Sequence, residues 1–503
     1  MMTAHWTEAA ARAAEIAAGW QREAGPGGAV VLFDREGVRE AFAGGLASIQ
    51  HDLPFTPRTA NRFASISKHV LAVALLREAV PLDAPLGRWL PELPAPLAEV
   101  PLVRALDMTG GLPDMMEAFW QQGVPFTATL SADEVHALAC RFPALSAPPG
   151  TEMAYSNTGW RLAQRVLEKV TGKPYGETVA ALSGELDLAF RLPYDGAEIV
   201  PGLATGYWRD GDNWRRGHYG FHFSASGGIA GSAADLAGWF SGLLAGRGPL
   251  AGMLERLTEP RHFADGSESV YRLGLVCSRL GRFDVVGHGG SLTGYRNHVL
   301  TAPELGVGVV VLTNREEEAL WPALTVLAAL LGEKLPVAAE APTGLFASEE
   351  GPFWAELASD SISFMGGYER LVSDGEDGLR SLPAYLDIRL RRDGADRLTG
   401  PIGGVQRSLR RVPADTPLDA RLVGCWRDPH FGTEIAIRPD GTALWPWPLD
   451  GAVTRLTPLP NGRAVADLMH GPWRARPCLW LDGAGRLRVA GHRARILQMD
   501  RIG

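Results

Sequence analysis

The sequence predicts a fold of the α+β or α/β class in its first part, followed by a region of small antiparallel β domains. Apolar runs typical of strands occur near residue 30 and again after residue 283, and amphipathic helical stripes lie between them. Beyond residue 336 those stripes fade, and short runs of alternating polarity are separated by Gly, Asp and Pro turns. Both ends of the first domain are therefore expected to contribute strands to one antiparallel sheet, with helices covering its faces.

The strands of this sheet are located by apolar runs and turn residues. Residues 1–20 have the pattern of an amphipathic helix, and residues 29–42 that of a hairpin with a charged turn closed by Gly37. The run over residues 306–313 is nearly continuous Val and Leu, which is typical of a strand buried on both faces. The later strands of the sheet are expected at residues 283–286, 297–301 and 306–313.

Helices are predicted between and after these strands. Pro81, Gly172 and Gly246 supply the residues that end three of them. In the second helix, Leu162, Val166 and Val170 form the apolar stripe. The expected helices run from residue 65 to before residue 81, and over residues 158–170, 235–246 and 316–331.

The region after residue 336 predicts β structure. Residues 386–390 and 433–438 alternate in polarity, and each run is followed by a turn that contains Asp-Gly. Such short strands indicate one or two small β-barrels or sandwiches. With a division near Pro417, the expected domains are residues 1–335, 336–417 and 418–503.

Composition narrows the class of protein. The 503 residues are 46% hydrophobic and 21% charged, which is typical of globular proteins rather than disordered or membrane ones. The net charge of −8 offers no electrostatic reason to expect nucleic acid or anionic lipid as a partner. The residues before Trp20 lack the basic start and apolar core of a secretory signal, so a cytoplasmic protein is expected. The four scattered cysteines are expected to be buried thiols rather than a disulfide framework or a zinc site.

The stretch Ser65-Ile66-Ser67-Lys68 pairs a hydroxyl with an amine. Residues three apart share a face of a helix, so Lys68 is expected beside Ser65, while Ser67 faces elsewhere. A serine hydroxyl becomes a nucleophile when a nearby base removes its proton, and a lysine of lowered pKa can be that base. Taken alone, the motif is weak, because most such pairs are a helix cap and a solvated surface charge.

Two further motifs give this pair its context. They are Tyr155-Ser156-Asn157 and His288-Gly289-Gly290. In this order and at these distances the three motifs resemble those of the serine beta-lactamase and penicillin-binding superfamily, in its class C beta-lactamase-like branch. With two β domains after the first domain, the chain is most similar to the D-aminopeptidase subgroup, from about residue 25 onward.

This resemblance implies an architecture. It implies a beta-lactamase-like sheet domain beside a helical subdomain, with the active site in the cleft between them. Two small antiparallel β-barrel domains would follow, the second with a loop toward the active site. The subgroup tends toward homodimers, so a homodimer is expected.

The resemblance also implies catalytic roles. Ser65 would be the nucleophile, Lys68 and Tyr155 are the two candidates for general base, and Asn157 would bridge Lys68 and the substrate amide. His288 would lie on the strand that lines the cleft.

Further residues are implied to bind substrate. Gly290 would leave room for substrate against the backbone, and the N–H of Ser291 would complete the oxyanion hole with that of the nucleophile. Arg296 would favour a deprotonated base, the alternative being a solvated arginine of an edge strand. The subgroup recognises the substrate's free amine with an aspartate in a loop of the last domain; His470 takes that position here, and Asp467 is the alternative.

The sequence therefore predicts a serine amidohydrolase that releases N-terminal D-amino acids from peptides or amides through an acyl-enzyme. An esterase or D,D-peptidase of the same superfamily is the alternative. A beta-lactamase is disfavoured because no export signal is expected, and a non-catalytic scaffold because Ser65, Lys68 and Tyr155 are all present. No metal or cofactor is expected, since His218 and His222 have no acidic or cysteine partner beside them. The expected partner is a small-molecule or peptide substrate with a D-residue, with no nucleic acid and no membrane.

Overall fold

The computed structural model describes residues 4–382, 385–446 and 452–502. Its first domain contains a six-stranded antiparallel sheet in which the N-terminal hairpin joins the later strands. Gly28–Asp34 pairs with Val307–Thr313 along its whole length, which confirms that both ends of the domain build one sheet. In spatial order the strands are Val276–Leu280, Phe283–Leu292, Tyr295–Ala302, Val307–Thr313, Gly28–Asp34 and Val38–Gly44.

The central strands are buried on both faces. Alternate residues of a strand point to opposite faces, so Val30 and Leu32 enter one hydrophobic core while Val31 and Phe33 enter another. The first core contains the terminal helices Trp6–Arg22 and Leu320–Leu331, and the second contains the helices near the cleft. Helices therefore cover both faces of the sheet, as the apolar runs predicted.

The helix that follows Ser65 is buried all round rather than on one face. It begins with a 3₁₀ turn, Ala64–Ser67, and continues as the α-helix Lys68–Arg77. The helix Asn157–Thr171 ends at Gly172, which adopts a left-handed φ of 68°. Val170, predicted in its apolar stripe, is 43% exposed because it lies in the last turn.

The α-helices are Trp6–Arg22, Lys68–Arg77, Ala95–Ala98, Leu102–Leu106, Met115–Gln121, Ala132–Ala139, Asn157–Thr171, Tyr175–Gly184, Ala233–Ala245, Met253–Thr258 and Leu320–Leu331. Single 3₁₀ turns cover Ala64–Ser67, Leu86–Arg88, Gly248–Leu250 and Ala420–Leu422. In the part of the chain that the structure describes, no helix combines the length and apolar character needed to cross a bilayer.

The chain continues into a closed eight-stranded barrel, here called the first barrel. Neighbouring strands in the chain are neighbours in space, and Gly344–Ser348 closes the barrel against Val405–Arg411. The strand predicted at residues 386–390 lies at Arg389–Arg392 instead. The eight strands are Gly344–Ser348, Trp354–Ala358, Ser361–Phe364, Gly367–Ser373, Gly378–Ser381, Arg389–Arg392, Arg397–Ile402 and Val405–Arg411.

The last β domain is a nine-stranded antiparallel sheet. The strand predicted at residues 433–438 is confirmed as Glu434–Ile437. Two β domains therefore follow the first domain, while their boundaries stay predictions. In spatial order the strands are Ala452–Arg455, Thr442–Trp445, Glu434–Ile437, Gly424–Arg427, Leu497–Ile502, Leu487–Ala490, Cys478–Leu481, Arg463–Val465 and Thr457–Leu459.

Five two-stranded ribbons complete the strands of the described residues. One of them, Leu468–His470 with Trp473–Ala475, is called the cleft hairpin below. The other pairs are Leu46–Ser48 with Leu53–Pro54, Ala60–Arg62 with Ala230–Ser232, Tyr207–Asp210 with Asn213–Arg216, and Arg261–His262 with Glu268–Ser269.

The β domains dock tightly on the first domain. The side chain of Gln121 donates a hydrogen bond to the Ala494 carbonyl at 3.0 Å, and the backbone carbonyl of Gln121 accepts one from the Trp445 indole at 3.0 Å. Hydrophobic side chains of the last β domain belong to the same buried cluster as those of the first domain. The expectation of buried cysteines holds only for Cys478, because Cys140 and Cys277 are half-buried and Cys425 is exposed, although all four thiols are free.

Candidate active site

Ser65 lies at the start of a buried helix that points into a cleft. The residue before it, Ala64, adopts a left-handed φ of 51°, which an alanine rarely does. Such outliers persist where the surroundings fix them, often at functional sites. The strand Phe283–Leu292 passes so close that a Cβ at Gly290 would overlap the Phe63 carbonyl oxygen. Gly290 is thus required for the approach of this strand to the helix start, a different reason from the room for substrate that the sequence predicted.

Lys68 is fully buried beside Ser65. Its Nζ lies 3.0 Å from Ser65 Oγ and 3.0 Å from Asn157 Oδ1, and it also contacts the Ser226 carbonyl oxygen. Burial lowers the pKa of Lys68 well below its ordinary value, and the charge of Arg493 lowers it further. The amine therefore reaches its neutral form far more readily than a lysine in water.

Tyr155 completes the cluster from the loop that precedes the helix Asn157–Thr171. It shares a side-chain hydrogen bond with Ser65, and Lys68 Nζ lies 4.9 Å from the centre of its ring. Burial raises the pKa of the Tyr155 phenol, although the hydrogen bond to Ser65 and the charge of Arg493 act in the other direction. The phenol is thus protonated near neutral pH.

Asn157 is oriented by a buried carboxylate that the motifs did not indicate. Asp114 Oδ2 accepts hydrogen bonds from the Asn157 backbone N–H at 2.7 Å and from its Nδ2 at 3.1 Å. With its amide nitrogen held in this way, Asn157 must present Oδ1 to Lys68. Asp114 also caps the helix Met115–Gln121, because its Oδ1 accepts from the Glu117 N–H at 3.0 Å.

His288 lies in the cleft wall as a neutral imidazole. Nδ1 contacts the Gly289 carbonyl oxygen, which can only accept, so Nδ1 carries the proton. Nε2 then accepts from the Tyr271 hydroxyl at 3.0 Å. Burial lowers the pKa of His288 well below its ordinary value, and the neighbouring Lys68 adds to the effect. Both ring nitrogens are therefore engaged within the protein.

Ser291 and Arg296 occupy different parts of the same cleft. Ser291 is exposed and lines the cleft together with Ser65. Arg296 pairs with Glu316 and lies 5.5 Å over the Trp473 ring, rather than being a solvated arginine. The charges that act on Lys68 are those of other residues, Arg493 foremost, so the expectation that Arg296 would favour a deprotonated base is not supported.

The cleft has a volume of about 530 Å³ and is lined by all three domains. The first domain contributes the aromatic side chains Trp120 and Phe126, and the cleft hairpin adds Trp473, whose ring lies 5.2 Å from that of Phe126. The first barrel contributes Met365 and Tyr385. The predicted approach of the last domain to the site is therefore present.

The two residues expected to bind the substrate amine do not line this cleft. His470 Nε2 lies 3.0 Å from the Thr127 hydroxyl, beside the cleft rather than in it. Asp467 forms a bidentate ion pair with Arg474, with both contacts at 2.7 Å. The carboxylates that do line the cleft are those of Glu117, Glu316, Glu318 and Glu369.

The structure thus brings Ser65, Lys68, Tyr155 and Asn157 together, with His288, Gly290 and Ser291 on the adjoining strand. Sequence reasoning missed Asp114, Ser226 and Arg493. Ser226 contributes only its backbone carbonyl, which no side chain could signal. Asp114 stands just before a helix, as an N-cap does, and that position gave no indication of a second role.

Comparisons with known proteins identify the family and support the fold. Residues 12–333 match the family described as Beta-lactamase. A D-aminopeptidase of Cereibacter sphaeroides is 28% identical over a 505-residue alignment that covers 90% of this chain and 95% of that protein. The octameric penicillin-binding protein homologue from Pyrococcus abyssi superposes with a TM-score of 0.57 at 18% identity, over 96% of this chain and 98% of its own. The D-amino acid amidase from Ochrobactrum anthropi SV3, solved with D-phenylalanine, gives 0.55 at 23% identity, over 65% and 98%. At these identities, the two structures support the fold alone.

Proposed function

The chain belongs to the Beta-lactamase family, and from that premise we propose that it is a D-aminopeptidase that releases N-terminal D-residues through an acyl-Ser65 intermediate. The relatives named D-aminopeptidase match nearly the whole chain, including both β domains. The observation that carries the proposal is the set of contacts made by the buried Lys68 amine.

These contacts support Lys68 as the general base. A neutral amine has two N–H donors and one lone pair. The Asn157 Oδ1 atom and the Ser226 carbonyl oxygen can only accept, so they take the two donors. The lone pair is then left for the Ser65 hydroxyl, 3.0 Å away. Lys68 can therefore remove the proton of Ser65 as Oγ attacks the substrate carbonyl carbon.

Tyr155 is proposed as the acid that follows. A protonated phenol that shares a hydrogen bond with Ser65 can give its proton to the leaving nitrogen as the substrate C–N bond breaks. The Lys68 ammonium restores the phenol, and water then hydrolyses the acyl ester. The N–H groups of Ser65 and Ser291 are proposed to bind the oxyanion, because both residues line the cleft and the first turn of a helix leaves N–H groups unpaired.

An esterase or D,D-peptidase is the second candidate, and the cleft hairpin favours it. Neither His470 nor Asp467 lines the cleft, so the acid that would select a free amine is absent from its expected place. D-alanine p-nitroanilide, its N-acetyl derivative and p-nitrophenyl acetate separate the candidates. An aminopeptidase loses the acetylated anilide, whereas the alternatives hydrolyse it as well as the free one.

The nucleophile is tested by Ser65→Ala and by mass spectrometry of the trapped acyl-enzyme over a panel of D and L substrates. We expect kcat/KM to fall at least about 1,000-fold and the acyl group to vanish. Ser67→Ala is the matched control, since its hydroxyl accepts from the Ile229 N–H at 3.1 Å, away from Lys68. Acylation that persists in the Ser65 variant would remove the basis of the proposal.

A homodimer in the cytoplasm remains our expectation for the working state. The octamer named for the Pyrococcus abyssi homologue belongs to that protein. Light scattering on the purified chain distinguishes a dimer from a monomer or a larger assembly.

A further inference from the structure

A turn of the last β domain, Gly491–Arg495, puts a cation beside the catalytic cluster. Arg493 Nε donates to the Tyr155 backbone carbonyl at 3.1 Å, and the centre of its guanidinium lies 5.4 Å from the centre of the Tyr155 ring. Its Nη2 donates to Asp114 Oδ2 at 2.8 Å. One side chain thus contacts the loop that carries the phenol and the carboxylate that orients Asn157.

The backbone on both sides of Arg493 holds this side chain in place. The Arg493 N–H donates to Glu117 Oε2 at 2.7 Å, and the Arg493 carbonyl accepts from the Asp114 N–H at 2.9 Å. The next carbonyl, that of Ala494, accepts from Gln121 Nε2 at 3.0 Å. Because these bonds fix the turn before any substrate arrives, the guanidinium is preorganised.

A second clamp acts on the same loop three residues before Tyr155. Glu152 accepts from Arg407 of the first barrel at 2.9 Å and from Arg495 of the last β domain at 2.8 Å. The Met153 N–H donates to the Gly403 carbonyl of the first barrel at 2.9 Å. The loop is therefore held by both β domains. Of the three arginines that hold it, Arg493 is the one that faces Tyr155.

We propose that Arg493 is a positioning residue of this hydrolase: from the last β domain it fixes the segment Tyr155–Asn157 and places a positive charge beside the cluster of Ser65, Lys68 and Tyr155. The inference rests on the proposed function only in taking Lys68 as the base for Ser65. It assigns to the last β domain a part in acylation itself, in addition to any part in substrate choice.

The charges around Lys68 have opposing signs. After burial, Arg493 is the largest influence that lowers the pKa of Lys68, Asp114 acts to raise it, and Arg161 lowers it again. Tyr155 and His288 also face the amine, but burial keeps both uncharged near neutral pH. Removing the Arg493 charge must therefore raise the pH at which Lys68 becomes neutral.

The test is the pH dependence of Ser65 labelling by a fluorophosphonate probe, followed by intact-mass spectrometry. The labelling rate rises with pH as Lys68 loses its proton. In Arg493→Gln we expect this rise to move up by about one pH unit, with roughly tenfold slower labelling below it. Arg493→Lys keeps the charge and should stay near the wild-type profile. Arg495→Gln loosens the same turn without facing Lys68, so it slows labelling without moving the profile.

The result that overturns the inference is a folded Arg493→Gln protein, by thermal unfolding, whose profile coincides with that of the wild type. If that variant does not fold, Arg493→Met decides, because it also removes the charge while keeping a long side chain; a rise that stays at the wild-type pH counts against the inference. A wild-type protein without Ser65-dependent labelling would instead refute the proposed function.

Discussion

Two segments of the last β domain lie near the cleft, and they contact the first domain in different ways. The cleft hairpin contacts the rim through side chains, including bonds from His470 to Thr127 at 3.0 Å and from Trp473 to Thr293 at 2.8 Å. The turn Gly491–Arg495 is tied through its backbone and two arginines to buried carboxylates around the catalytic cluster. The hairpin thus lines the entrance of the cleft, whereas the turn holds the loop of Tyr155 and carries the Arg493 charge proposed to act on Lys68.

The largest effect should come from removing Glu152, the carboxylate that accepts hydrogen bonds from Arg407 and from Arg495 of the turn. Glu152→Ala leaves the guanidinium groups of Arg407 and Arg495 buried without their partner and should cost about 3 kcal/mol of unfolding free energy. Glu349→Ala, which removes an exposed partner of Arg410, should cost less than about 0.5 kcal/mol. Denaturant unfolding at pH 7 measures both, and equal losses would contradict the structural role of the turn.

The stability that the ion pairs of Glu152 contribute should also depend on pH. Burial opposes ionisation of Glu152, but the hydrogen bonds and charges of Arg495 and Arg407 outweigh it and hold its pKa below the ordinary value. The stabilisation is therefore complete above the pKa of the unfolded state and is lost as the pH falls through the folded one. The difference in unfolding free energy between the wild type and Glu152→Ala should therefore disappear in acid.

A second carboxylate at the turn should respond in the opposite sense. Burial raises the pKa of Glu117 to about 7. The folded state therefore keeps a proton that the unfolded state has lost, and stability falls as the pH rises from about 4.5 to 7. Glu117→Gln should lack this slope and gain about 1–3 kcal/mol relative to wild type at pH 8.

The measurement for Glu117 is a series of unfolding curves between pH 5 and pH 8. Glu177→Gln is the matched control, because Glu177 also occupies the first turn of a helix but is exposed. A Glu117 variant that retains the wild-type slope would show that this carboxyl does not titrate in the folded protein.

The smallest effects are expected at the cleft hairpin. Trp473→Ala removes part of the aromatic wall and should raise KM about three- to tenfold. We expect little change in kcat, because the indole contacts Phe126 and Thr293 rather than the catalytic cluster. His470→Ala loses a comparable bond to a threonine outside the cleft and should change KM less than about twofold. A large fall in kcat for Trp473→Ala would erase the distinction between hairpin and turn.

What could be predicted follows from how local each signal is. The helix that ends at Gly172 and the strand of continuous Val and Leu were predicted because periodicity and stop residues lie within one segment. The three motifs located the cluster because their order resembles that of a known superfamily. Arg493 was not predictable, since it meets Tyr155 across 338 residues and its turn has no periodic or motif signal. The contact of His470 with Thr127 was not predictable either, because spacing aligned the hairpin but not the direction of one side chain.

The pairing of Gly28–Asp34 with Val307–Thr313 has a consequence for synthesis on the ribosome. Roughly 270 residues separate the two strands, so at 5–20 residues per second the first strand emerges about 15 to 55 s before its partner. During that interval the nascent hairpin has an unpaired, strongly apolar strand edge, the kind of surface that joins other chains. Pairing of this edge with other chains is therefore a hazard of synthesis that ends when Val307–Thr313 completes the sheet.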